Sequence, residues 1–506
     1  MAHLPRALGY TWSLPTTHLR SAVERFLAAS REPILQEPGE ESIPLTTGHY
    51  ALEDRNGHLQ IQAWDERRNI VRRIVGIDAE RPGRLELRVE RFARRIGTLL
   101  LADMARAKNQ PVERHGERLI FREQFRRLLL RQFTSWKVAG LSTEMDLHHS
   151  LSPNYPRALL KKGASGWAAI GASEDPDHAL SFGLIWLDHL RRREPKLTIA
   201  GLAIFLPREH VTTTCLRLKH LSTAAAQYLV FAYSPEGYSD AVDIADSGNL
   251  QTRLETCRCP SAESQVRNNV LIERACGLPE VEAVERGEGT MSLRIRGMEF
   301  ARVAGGELEF GLESRRPACA SNWGELETLV RELSRMRSSR AADRTSPLYR
   351  NNPEAWLESQ VRSNPQVVDA QLLPSPIYGQ VPAFAGGDRG VLDLLAVDHT
   401  GRLAVMEIKA SQDLHLPLQA LDYWMRVSWH ALRGEFSPLG YFPGVPLRRV
   451  PPRLLLVAPA LAFHPSTETI LRFFTSDIAV ERIGVGVEWQ KELLVLFRLH
   501  GAEGPR

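Results

Sequence analysis

Gly390-Val391-Leu392-Asp393-Leu394-Leu395-Ala396-Val397 and, after the turn Asp398-His399-Thr400-Gly401, Arg402-Leu403-Ala404-Val405-Met406-Glu407-Ile408-Lys409-Ala410-Ser411 read as two consecutive buried strands, each carrying a carboxylate. Burying a carboxylate in an apolar strand costs several kcal/mol unless a partner or a metal compensates it. Glu407 and Lys409 stand two residues apart and so leave the same face of their strand, and Asp393 on the neighbouring strand can reach that face. Upstream, Glu354–Asn364 reads as a short amphipathic helix carrying Glu358. Downstream, Leu416–Leu432 reads as a helix with Gln419 and Tyr423 four apart on one side, and Pro452–Leu461 as a further buried strand.

Two carboxylates beside one lysine suit phosphodiester hydrolysis. Hard oxygen ligands hold Mg2+ or Mn2+, which activates water and neutralises charge at phosphorus, while a lysine can orient that water or help to deprotonate it. A buried ion pair would account for one of these strands but not for the whole constellation.

The order Glu358, Gly390-x-x-Asp393, Glu407-Ile408-Lys409, Gln419-x-x-x-Tyr423 resembles the PD-(D/E)XK nucleases. Its last pair resembles the Q-x-x-x-Y motif of their RecB-like branch, which includes helicase-linked and CRISPR-adaptation exonucleases. The resemblance runs from about Pro353 to Leu499 and leaves the first 345 residues without a named family. It implies a restriction-endonuclease-like mixed sheet flanked by helices, with Asp393, Glu407 and the Ile408 carbonyl as metal ligands and Lys409 as the catalytic lysine. It also implies that Glu358 binds the metal directly or through water, and that Gln419 and Tyr423 position the substrate. The chain departs from some members of that branch: it has no cysteine cluster for an iron–sulfur site and no G-x-x-x-x-G-K-[ST] helicase motif, which disfavours roles that need either.

At 506 residues the chain is long enough for two to four domains, and 43% hydrophobic with 25% charged residues is ordinary for a globular protein. The reading is a multidomain α/β protein: a β-rich module over 1–115, a degenerate nuclease-like domain over 116–210, a middle region over 211–345 and the nuclease domain over 346–506. Within the first, Leu85–Glu90 alternates apolar with charged, as a half-buried strand does. Thr290–Phe310 reads as a hairpin turning at Gly305-Gly306, Gly324–Met336 as a helix, and Ser338–Pro353 as the best linker in the chain. No apolar run spans a bilayer and the start lacks a signal-peptide core, which points to a cytoplasmic protein. The five cysteines are too few and too oddly spaced for a zinc site.

The net charge is +4, but residues 350–506 carry 15 Lys and Arg against 16 Asp and Glu, so the positive surplus lies in the remainder, with 49 against 44. That fits a nucleic-acid grip supplied by the N-terminal part. Arg118, Arg122 and Arg126 form a stripe on the helix whose core face is Phe121, Phe125, Leu128, Leu129 and Phe133. Such a stripe is usually a solvated face, with phosphate contact as the alternative.

The N-terminal half repeats the pattern. Trp167–Leu190 lies beside Val405–Val427 with nearly the same spacing, matching Ala169 to Glu407, Gly171 to Lys409 and Phe182 to Gln419. These substitutes cannot hold a hard cation through side-chain oxygen. The function expected is Mg2+- or Mn2+-dependent hydrolysis of nucleic acid, DNA before RNA, in repair or in defence against foreign DNA. The alternative is a nucleic-acid-binding or scaffolding protein that kept the fold without turnover. Homo-oligomerisation is left open.

Overall fold

The computed structural model describes residues 16–503 apart from 32, 37–42, 46–49, 56–57, 65–68, 82–83, 91–95, 104–110, 235–236, 246–251, 255, 258–269, 286–289, 313 and 386–387. The chain divides into two compact units, Met1–Glu117 with Gly311–Arg316, and Arg118–Phe310 with Pro317–Arg506. Among the described residues no helix is long and apolar enough to cross a membrane. Cys215, Cys257, Cys276 and Cys319 are not in disulfides; Cys259 lies outside the described residues.

The first unit is built on a seven-stranded antiparallel sheet from Pro33 to Asp103. The alternation at 85–90 has its expected effect: Leu85, Leu87 and Val89 are buried while Arg88 is exposed. The helix Thr16–Ala29 closes that core with Leu19 and Val23.

α1 (Pro111–Gln132) begins in the first unit and enters the second at Arg118, where it is followed by β1 (Lys137–Ser142), β2 (Arg157–Lys162), β3 (Ser165–Gly171), α2 (Ala179–Arg193), β4 (Thr198–Pro207), α3 (Val211–Leu218), β5 (Gln227–Tyr233) and β6 (Ser239–Val242). These six strands form one sheet in sequence order: β1, β2 and β3 antiparallel, β3, β4 and β5 parallel, β6 antiparallel. The sheet therefore continues well past residue 210.

The same order returns in α4 (Pro353–Ser363), β7 (Tyr378–Ala385), β8 (Asp388–Val397), β9 (Leu403–Ile408), α5 (Leu416–Arg433), β10 (Arg453–Pro459), α6 (Ser466–Leu471), β11 (Val480–Val485) and β12 (Val495–His500). The strand directions also repeat, pair for pair, with Thr252–Leu254 added on the outer edge of β7. Strands buried on both faces give the near-continuous apolar runs seen in β4 and β10.

The residue matching expected from sequence needs correction. Ile170 pairs with Ile204 and faces the core under α2 and α5, whereas Ala169 packs on the other face with Phe125. Glu407 pairs with Leu456, which lies in that first core. The Ala172 amide donates to Phe205 O at 3.1 Å, as the Lys409 amide donates to Val457 O at 3.0 Å. Ile170 therefore stands where Glu407 stands, Ala172 where Lys409 stands, and Arg157, opposite Ile170, where Asp393 stands. β3 and α2 of the first lobe thus correspond to β9 and α5 of the second at one constant offset, without a gap between strand and helix. Phe182 keeps its match to Gln419, since each is the fourth residue of its helix.

The two lobes meet about a local two-fold. The Ser222 amide donates to Phe473 O at 2.7 Å and the Thr475 amide to His220 O at 3.1 Å, the same contact made in both directions. The residues capping α2 and α5, His178 and His415, stack ring on ring at 3.8 Å. Leu180, Leu184 and Leu187 from α2 share one core with Leu421, Trp424 and Met425 from α5.

Between the lobes lie antiparallel strands at Glu282–Glu285, Met291–Ile295, Met298–Ala304 and Glu307–Phe310, then the helix Trp323–Met336. Two expectations change here. Ser292–Phe300 is two strands, because Arg296 and Gly297 take φ of 45° and 77° and turn the chain. Nor is Ser338–Pro353 a linker. It folds around buried Arg337, whose guanidinium donates to Leu348 O and Asn351 O at 2.7 Å and lies 4.7 Å from the centre of the Trp356 ring.

Candidate active site

The β8–β9 ladder sets the centre of the site. Leu394 pairs with Met406, and one step further Asp393 lies across from Glu407. The Ile408 amide donates to Asp393 Oδ2 at 2.8 Å. A strand residue sends its N–H and C=O to the same side, so the Ile408 carbonyl also leaves toward Asp393. The Ile408 side chain is buried on the opposite face with Trp356 and Leu357.

Glu407 is 3% exposed; its Oε1 lies 3.5 Å from Lys409 Nζ, and its buried Oε2 has no hydrogen-bond partner. Lys409 Nζ also lies 3.8 Å from Asp413 Oδ2 and 4.0 Å from Glu354 Oε2. Glu358 reaches the same place from α4: a Cβ at Gly379 would come within 3.2 Å of Glu358 Oε1 and 3.6 Å of Asp393 O. Its carboxylate is held by Arg362 Nη1 at 3.1 Å, and Arg362 Nη2 is held in turn by Glu282 Oε2 at 3.0 Å.

Charge in this cluster is unbalanced. Burial pushes the Asp393 carboxyl up to about 7; the Ile408 amide opposes the shift and the Glu358 carboxylate adds to it. Burial, and then Asp393, push Glu407 well above the usual carboxylate range. For Lys409 burial would lower the pKa, but Glu407, Glu354, Asp393 and Asp413 together outweigh it and hold it as ammonium. Burial raises the Tyr423 phenol, with Glu407 and Asp393 contributing, so α5 carries Tyr423 within electrostatic range of the pair. Gln419 sits half-buried one turn earlier on the same helix. One turn later the Arg426 guanidinium lies 5.8 Å from the centre of the Tyr423 ring.

Among the described residues no three His, Cys, Asp or Glu side chains converge tightly enough, as they stand, to hold a metal ion. The donor set nonetheless suits a hard cation. It consists of two carboxylates and a backbone carbonyl at one point, with one buried carboxylate oxygen unpartnered, and Mg2+ is commonly held by one or two carboxylates plus waters.

The chain matches no family model and no curated protein. Its reading rests on its own residues.

Glu358, Asp393, Glu407, Gln419 and Tyr423 lie on the elements expected for them, while Lys409 follows the end of β9 by one residue. Sequence reasoning missed Glu354, Asp413, Arg362 and Glu282. Arg362, four residues after Glu358, and Asp413, four after Lys409, were visible as spacing, whereas Glu282 lies in a different sheet and left no local signal. In the arginine stripe Arg126 pairs with Glu123 at 2.9 Å and Arg122 donates to Leu141 O at 3.4 Å.

Proposed function

We propose that the cluster on β8, β9 and α5 hydrolyses phosphodiester bonds of nucleic acid with a bound Mg2+ or Mn2+, as the resemblance to the PD-(D/E)XK nucleases implies. The observation that carries this reading is the buried, unpartnered Glu407 Oε2 beside Asp393, two carboxyls whose ionised forms are disfavoured by burial and by each other and which a bound cation would stabilise. Asp393, Glu407 and the Ile408 carbonyl would hold the ion, which when bound supplies an activated water and charge neutralisation at phosphorus. Lys409, favoured as ammonium by the carboxylates around it, would donate hydrogen bonds and positive charge toward the phosphate or the water. Gln419 and Tyr423, four apart on α5, would position the substrate.

Chemistry is confined to the C-terminal lobe. Arg157, Ile170 and Ala172 hold the corresponding positions of the first lobe and offer no carboxylate there. DNA is the first substrate class to test. The full chain, incubated with labelled single- and double-stranded oligonucleotides in Mg2+, Mn2+ or EDTA, should cut only with metal. Metal-independent binding with no cutting of DNA or RNA would favour a scaffolding role instead.

A further inference from the structure

Resting on that reading, we infer that Arg362 takes the place of a second cation in this site, holding Glu358 away from the bound ion so that each chain takes one divalent ion. A third carboxylate, Glu358, stands at the edge of the Asp393–Glu407 pair, its Oε1 and the Asp393 backbone oxygen lying within 3.2 and 3.6 Å of one point beside Gly379; two-metal sites draw on such an extra carboxylate to hold a second ion roughly 3.5–4 Å from the first. One of the three is already neutralised from within the protein.

The arrangement is built to keep that guanidinium where it is. Arg362 is one helical turn beyond Glu358 on α4, with its side chain 14% exposed. It is gripped at both ends, by Glu358 on the site side and by Glu282 on the middle sheet. Glu282 is fixed in its turn by the Ser359 hydroxyl, which donates to its Oε1. β7 passes directly over the pair: a Cβ at Gly379 would meet Arg362 Nη1 at 2.7 Å. A guanidinium stays charged at any pH a protein survives, so it cannot vacate the position by losing a proton. A second divalent ion at Glu358 would have to displace this charge or sit against it. Arg362 is therefore a positioning residue for Glu358, and the middle sheet, through Glu282, supports the site.

Mn2+ binding to the full chain, counted by electron paramagnetic resonance of the free ion and by calorimetry, tests this without reference to turnover. Wild type should bind one Mn2+ per chain, Arg362→Lys one, and Arg362→Gln two. Glu282→Gln loosens the guanidinium from outside the site and should shift binding in the same direction, with the second ion at least tenfold weaker than in Arg362→Gln. Circular dichroism of each variant separates loss of fold from loss of the grip. Two ions in wild type, or one in both wild type and a folded Arg362→Gln, would overturn the inference and leave the proposed nuclease function standing. No Mn2+ bound by wild type would overturn both.

Discussion

Asp393 and Glu407 carry the two carboxyls of the site, and Lys409 stands beside Glu407 as its nearest cation. A carboxylate inside GVLDLLAV was legible as an anomaly, because a buried charge needs a reason, and Glu407 and Lys409 were legible as its partners because strand geometry puts alternate residues on one face. The state of those groups was not legible, since it depends on neighbours from α4 and on the depth of burial. The structure makes the site testable residue by residue. Asp393→Asn, Glu407→Gln and Lys409→Ala should each lower metal-dependent cleavage by roughly a hundredfold or more, in the range typical of lost catalytic groups; parental rates in all three would sink the assignment. Asp393 also sets a pH dependence. Its folded pKa of about 7 lies above its ordinary 3.8, so between those values the folded protein holds a proton that the unfolded chain has lost. Its contribution to stability therefore falls as pH rises through that window. Thermal melts in EDTA from pH 4.5 to 8 should show Asp393→Asn gaining on wild type as pH rises, and a constant difference would contradict the assigned burial. Bound metal should reverse the trend, since binding expels that proton.

Elements were called well where periodicity was strong and poorly where a backbone turn decided the matter. The strands β9 and β10 and the helices α4 and α5 fell where apolar spacing put them. The break at Arg296-Gly297 was missed because Ser292–Phe300 is apolar enough to read as a single strand. Gly297 is the residue that makes the turn, with φ of 77° and a Cβ position 2.2 Å from Ala355 O at the head of α4. Gly297→Ala should therefore cost more than the ~1 kcal/mol of an ordinary glycine exchange. It should also move α4 and disturb the Glu358–Arg362 pair, so that Mn2+ binding departs from that of wild type, whereas Gly305→Ala, at an open turn with nothing near its Cβ, should leave Mn2+ binding untouched. Equal metal affinity in both variants would argue against a tight link between this turn and the site.

For the whole molecule, sequence suggested two similar halves and a C-terminal nuclease separable at Ser346. The halves share a topology, but the cut would pass through a common core. Leu180, Leu184 and Leu187 would be stripped from Leu421, Trp424 and Met425, and buried Arg217 would be lost from Asp422, its partner at 2.7 Å. A fragment from Ser346 onward should therefore aggregate or melt far below the full chain, and Arg217→Ala alone should cost about 3–5 kcal/mol. A soluble, monodisperse fragment with the full chain's melting temperature would show that the lobes are independent. No reading of local pattern could have found this, because the contacts join residues about two hundred positions apart.

The stacked imidazoles of His178 and His415, each the counterpart of the other, mark where two subunits would meet if this were a homodimer. Here both belong to one chain, so their encounter is intramolecular, and its strength is set by tether length instead of protein concentration. Dilution cannot part them. A symmetric dimer must also place every substitution on both copies at once, whereas a tethered pair is free of that constraint. Arg157, Ile170 and Ala172 could thus differ in one half from Asp393, Glu407 and Lys409 in the other, leaving a two-fold frame whose matched positions carry the carboxylates in one half.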